Sequence, residues 1–102
     1  MVKTLTKIMN AMHSGRYVKV VRSVPISELE RALERSYYGE LQAFDSALWN
    51  CERDYGTTKE LKLLQAAVNH EYDRRSWAYL ALLEKENPEK LDEYLDVMYH
   101  LG

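Results

Sequence analysis

The stretch His70–Trp77, HEYDRRSW, gathers a histidine, two carboxylates, two arginines and two aromatic rings within eight residues. Those residue types could serve acid–base chemistry or half of a metal site. Helical spacing separates them. At about 100° per residue, Tyr72 and Arg75 fall on or beside an apolar stripe, whereas His70 and Trp77 point nearly the opposite way. His70 and Asp73, three apart, have the spacing of half a carboxylate-bridged bundle site. The other histidines, His13 and His100, lie in unrelated elements, and the segment preceding Gly56 has no Glu-x-x-His pair. The single cysteine, Cys51, sits in an apolar stripe and reads as a small core hydrophobe, and there is no Gly-rich phosphate loop. The expectation is therefore a chain with no catalytic residues, no metal and no cofactor, and not an enzyme.

The elements that position these residues read as helices. Leu5, Ile8, Met9 and Met12 have the i, i+3, i+4, i+7 pattern of a short amphipathic helix that stops near Ser14 and Gly15. Ser27 with Glu30 has capping-box spacing, so a long helix is predicted from near Glu28 to about Asp54. Its stripe is Leu29, Leu33, Tyr37, Leu41, Phe44, Leu48, Cys51 and Tyr55. Gly56 can adopt the positive φ of a helix end, and Thr57 with Glu60 forms a second box. The next helix carries Leu61, Leu64, Val68, Tyr72, Tyr79, Leu82 and Leu83, and ends before ENPEK, where Asn87 can cap and Pro88 can take the first helical position. A last helix shows Leu91, Tyr94, Leu95, Met98 and Leu101, with Gly102 ending the chain.

The fold class is thus all-α: a small helical bundle built on a long antiparallel helix hairpin, with short N- and C-terminal helices. One domain is expected over residues 1–102, divided into a basic N-terminal arm (1–24), the hairpin (27–86) and the C-terminal helix (88–101). Residues 17–24 are ambiguous. RYVKVVRSV is β-branched enough for a strand, but a lone strand needs a partner chain, and a helical turn or extended linker is favoured.

Composition narrows the class further. With 102 residues, 46% hydrophobic and 29% charged, four Gly and two Pro, the chain has globular proportions. One cysteine excludes an internal disulfide and fits a reducing compartment. The N-terminus has no unbroken apolar run like that of a signal peptide, and no later segment is long enough to span a bilayer, so a cytoplasmic location is expected. The net charge of −2 conceals a split. Residues 1–24 carry Lys3, Lys7, Arg16, Lys19 and Arg22 with no acid, giving +5 and leaving −7 for the rest. Such a region could bind nucleic acid through Arg16, Lys19 and Arg22, with Tyr17 stacking on a base, or dock on its own acidic body.

Two other groups of side chains stand out. Glu40 and Arg75 fall inside opposing apolar stripes, and a hairpin reversing at Gly56 brings them within about a turn, so they are candidates for a structural ion pair with Glu71 as a competitor; the alternative is that both snorkel to solvent. Tyr38, Trp49 and Trp77 project away from the stripes, as interface anchors do. The alternative is that a terminal helix covers them.

Three stretches, ALERSYYGEL, LLQAAVNHEYD and PEKLDEYL, give residues 28–102 a resemblance to a helical segment of the C (or d) subunit of archaeal and vacuolar-type rotary ATPases. The resemblance implies a non-catalytic connector between rotor stalk and membrane ring. Taken together, the residues point first to a non-catalytic protein–protein interaction module, self-associating or a small subunit or regulator of a larger assembly. The alternatives are a nucleic-acid-binding accessory protein and a rotary-ATPase connector fragment. A small viral or mobile-element accessory protein would fit the first two.

Overall fold

The structure, a computed structural model, describes the backbone of residues 3–101 and the side chains of residues 3–97. The side chains of Met98, His100 and Leu101, and the whole of Gly102, lie outside that description. Six helices and no strand are found among the described residues: α1 (Lys3–His13), α2 (Tyr17–Ser23), α3 (Ile26–Arg35), α4 (Tyr38–Tyr55), α5 (Lys59–Glu86) and α6 (Pro88–Leu101). The protein is all-α. Its contacts divide it into two compact units, residues 1–71 and 72–102, and the division falls inside α5.

In the first unit α1 is central, touching α2, α3 and α4. Leu5, Ile8 and Met12 are buried on its inner face. Its end is a Schellman motif: the Gly15 N–H donates to Met12 O (3.1 Å) and the Arg16 N–H to Ala11 O (2.9 Å), with Gly15 at φ 74°. The Tyr55 ring lies against Gly15, and its hydroxyl donates to the His13 carbonyl at 3.1 Å. A Cβ on residue 15 would approach Tyr55 Cε1 to 2.9 Å, whereas one on Gly56, at φ 81°, would meet nothing within 4 Å. Gly56→Ala is nonetheless expected to cost about 1–3 kcal/mol, because φ 81° with ψ −177° is a backbone region that essentially only glycine occupies, and Gly15→Ala about 2 kcal/mol, from its positive φ and the displaced ring. Urea unfolding of the two variants measures both costs.

Residues 17–23 are helix α2, which settles the strand-or-helix ambiguity against a strand. Tyr17 and Val21, four apart, both turn into the core, so tertiary burial overrides the β propensity of the valines. Pro25 ends α2 by forcing Val24 out of the helical region (ψ 119°). The same proline begins α3: Glu28 and Leu29 N–H groups donate to its carbonyl, so the helix opens at Ile26 and the expected Ser27–Glu30 box lies inside it.

The single helix expected from Glu28 to Asp54 is two helices. Ser36 and Tyr37 are extended (ψ 144° and 157°), and the buried Ser36 hydroxyl donates back to Leu33 O at 2.7 Å, competing with helix continuation. The carboxylate of Glu40 then accepts the Tyr37 N–H at 3.0 Å and restarts the helix as α4. The break puts Tyr37, expected in the core stripe, 80% into solvent. Leu29, Leu33, Leu41, Phe44, Leu48 and Cys51 remain buried on either side of it.

Helix α5 is capped by Thr58, one residue later than expected: its Oγ1 accepts the Leu61 N–H at 3.1 Å. Thr57 instead donates to Glu52. Leu61, Leu64 and Val68 are fully buried, and Glu71 continues their stripe. Beyond it, in the second unit, the apolar surface is open. Asn87 caps α6, its Oδ1 accepting the Lys90 N–H, with Pro88 the first helical residue.

Candidate interaction surfaces

The HEYDRRSW residues do not converge. His70 is exposed, Glu71 is buried, Arg75 is half-buried and Trp77 is 72% exposed, all along one continuous helix. No group of three or more His, Cys, Asp or Glu among the described residues is arranged to hold a metal ion. Cys51 is buried, and that burial pushes its thiol pKa up, away from the reactive thiolate. Alkylation of Cys51 in native buffer is expected to run at least about a hundredfold slower than in denaturant, at a rate tracking local opening. Labelling as fast as that of a free peptide thiol would contradict its placement in the core.

The basic N-terminal region is built into the first unit. Tyr17 is 2% exposed, with its hydroxyl 2.7 Å from Thr58 Oγ1. It cannot stack on a base without leaving the core. Arg22 Nε donates to Glu60 Oε1 at 2.8 Å, and Thr4 donates to Glu28. Arg16 and Lys19 are exposed. Of the five basic residues of this region, Arg22 is the one shown paired with an acid of the same unit.

Two carboxyls are held below the ordinary range by these contacts: Glu60 by its hydrogen bond from Arg22, and Glu40 by the Tyr37 amide. A carboxyl whose folded pKa is depressed contributes stability that is present above its unfolded pKa and lost as the pH falls through the folded value. Burial raises Asp45 instead, so its contribution has the opposite sign. The melting temperature is expected to fall between about pH 5 and about pH 3. Arg22→Ala should flatten that fall, and salt should narrow the gap between the two proteins. Parallel melting curves across this range would remove the Arg22–Glu60 contribution.

The Glu40 carboxylate has a definite place: it caps α4 from within the first unit. Its expected partner Arg75 lies on the part of α5 that belongs to the second unit.

Large apolar side chains are exposed on both units. Tyr37 and Tyr38 stand side by side at the α3–α4 break. Trp49, 66% exposed, borders a depression between α4 and α5 with Asp45, Glu52, Gln65 and Asn69; Gln65 Nε2 donates to Glu52 across it. In the second unit α6 folds back along α5, with the Tyr79 and Tyr94 rings edge to face at 5.5 Å. A groove on this pair is lined by Trp77, Leu80, Ala81, Glu84, Leu91 and Leu95. Leu91 and Leu95 of α6 face this groove. Among the described side chains of the second unit, Leu83 alone is buried.

No helix among the described residues is long and apolar enough to cross a membrane. No family description, no curated protein and no solved structure matches the chain.

Proposed function

We propose that this chain is a non-catalytic protein–protein interaction module of a reducing, cytoplasmic compartment. One observation carries the reading: the described side chains of the second unit expose Trp77, Tyr79, Leu82, Leu95 and Val97 and bury Leu83 alone. A helix pair without a core is marginal in water, and large apolar side chains left on a surface are the usual anchors of an interface. Trp49 and the Tyr37–Tyr38 pair supply further anchors on the first unit.

Affinity purification of the tagged full chain from its native host, with and without nuclease, tests this. A protein recovered near stoichiometry in both samples, or self-association of the bait, supports the module. Recovery that depends on intact nucleic acid would replace it with a binder working through Arg16 and Lys19.

A further inference from the structure

We propose that the depression between α4 and α5 is an arginine pocket, taking the guanidinium of a side chain presented by a partner protein. The inference rests on the interaction-module reading and names the chemistry of its partner. Asp45, Trp49 and Glu52 follow one another at i, i+4 and i+7, so the indole stands on α4 with a carboxylate one turn to either side. Gln65 and Asn69, one turn apart on α5, form the opposite wall. All five belong to the first unit. The space between them is about 370 Å³, inside the range of small-ligand pockets.

The chemistry of the lining is one-sided. Two carboxylates and two amide oxygens present acceptors, and no cation is among the lining residues; Arg53, one turn beyond Trp49, pairs with Asp54 instead. Glu52 is already engaged, accepting from Gln65 and Thr57, which closes that end of the depression. Asp45, two turns away and half-buried, has no hydrogen bond or ion pair among the described residues. Burial pushes its carboxyl pKa up, as it does for a carboxylate with no cation beside it. The Trp49 ring, 66% exposed, stands between the two acids with nothing over it but solvent. A guanidinium answers each of these features. Its plane stacks on an indole face, its paired N–H groups fit a carboxylate two at a time, and its remaining donors suit the amide oxygen of Asn69. An ammonium has the charge but neither the plane nor the fork. Helix α4, with four acids against one arginine, adds a long-range attraction for a basic partner.

Titration of the isotope-labelled full chain with N-acetyl-arginine amide tests the pocket, read on the indole N–H resonance of Trp49, which Trp77→Phe distinguishes from the other indole. A saturable shift with a Kd of about 1–10 mM is expected for so small a probe. The uncharged isostere N-acetyl-citrulline amide should bind at least about tenfold more weakly, and the lysine analogue about threefold more weakly. Asp45→Asn should weaken the arginine probe about tenfold, while Glu34→Gln, at an exposed acid of α3, should leave it unchanged. Unchanged helix content by circular dichroism shows that the variants fold. No saturable shift, an equal response to the citrulline probe, or a response that Asp45→Asn does not reduce overturns the proposal. In affinity purification, Asp45→Asn should lose at least about nine-tenths of the partner that the unaltered chain recovers. Equal recovery by both overturns the pocket and leaves the module reading standing. If the probe binds as expected but neither a partner nor self-association is found, the protein source of the guanidinium and the module reading fall together.

Discussion

Removal of residues 1–24 is expected to unfold the first unit, not to release a folded body lacking a basic arm. The segment contributes Leu5, Ile8, Met12, Tyr17 and Val21 to the core, none more than 4% exposed. At about 1.5–3 kcal/mol for each buried side chain, their loss removes roughly 7–15 kcal/mol, against about 5–15 kcal/mol for the whole stability of a small domain. The truncated chain should show no cooperative melt for residues 25–71 and should expose Cys51 to thiol reagents. A truncation that still melts cooperatively near the full-length temperature would mean that α1 and α2 are dispensable. The consequence reaches functional work: loss of nucleic-acid binding on truncating this region would report unfolding, so Arg16→Glu and Lys19→Glu, both exposed, are the informative changes.

Two positions five residues apart on α4 should respond in opposite ways. Phe44 is fully buried, and Phe44→Ala is expected to cost about 3–5 kcal/mol, a lost ring plus the cavity left behind. Trp49→Ala should change stability by no more than about 0.5 kcal/mol, because the ring stands in solvent. Its effect should appear in association instead. Denaturant unfolding of both variants, alongside partner recovery by the same proteins, separates the two roles. A Trp49→Ala protein destabilised as much as Phe44→Ala would make Trp49 a core residue and withdraw it as an anchor.

The helical pattern is legible where the local chemistry is self-contained. Leu5, Ile8 and Met12 with Gly15 behind them, Gly56 after α4, and Asn87 before Pro88 all act through neighbours a few residues away. The break at Ser36–Tyr37 is not, because a continuous apolar stripe hides it. The signal that could have found it is SYYGE: a serine able to bond backward, a glycine that weakens the helix, and a glutamate three residues after Tyr37 able to cap. The capping boxes expected at Ser27 and Thr57 each give way to a stronger local feature beside them, Pro25 in one case and Thr58 in the other. Tyr17 escapes a sequence reading for another reason. Its burial depends on Thr58, 41 residues away, and nothing in RYVKVVRSV records that contact. The helical wheel does place Tyr38, Trp49 and Trp77 off the core stripes, and all three are exposed. It does not show which neighbour the Leu91–Leu95 stripe faces, since helical spacing fixes a face and not its partner.

The ties between the α1–α2 corner and the α4–α5 turn bear on how this chain is made. Tyr55 reaches back 42 residues to the His13 carbonyl, and Tyr17 reaches forward 41 to Thr58. Contacts of that separation require a large loop to close before they are rewarded, so they slow folding relative to a bundle of purely local hairpins. On the ribosome, α1 and α2 emerge before α4 and α5, with Leu5, Ile8, Met12, Tyr17 and Val21 uncovered until Thr58 has cleared the exit tunnel. At about 5–20 residues per second that interval is several seconds, during which the uncovered α1–α2 segment is a natural client for a holding chaperone.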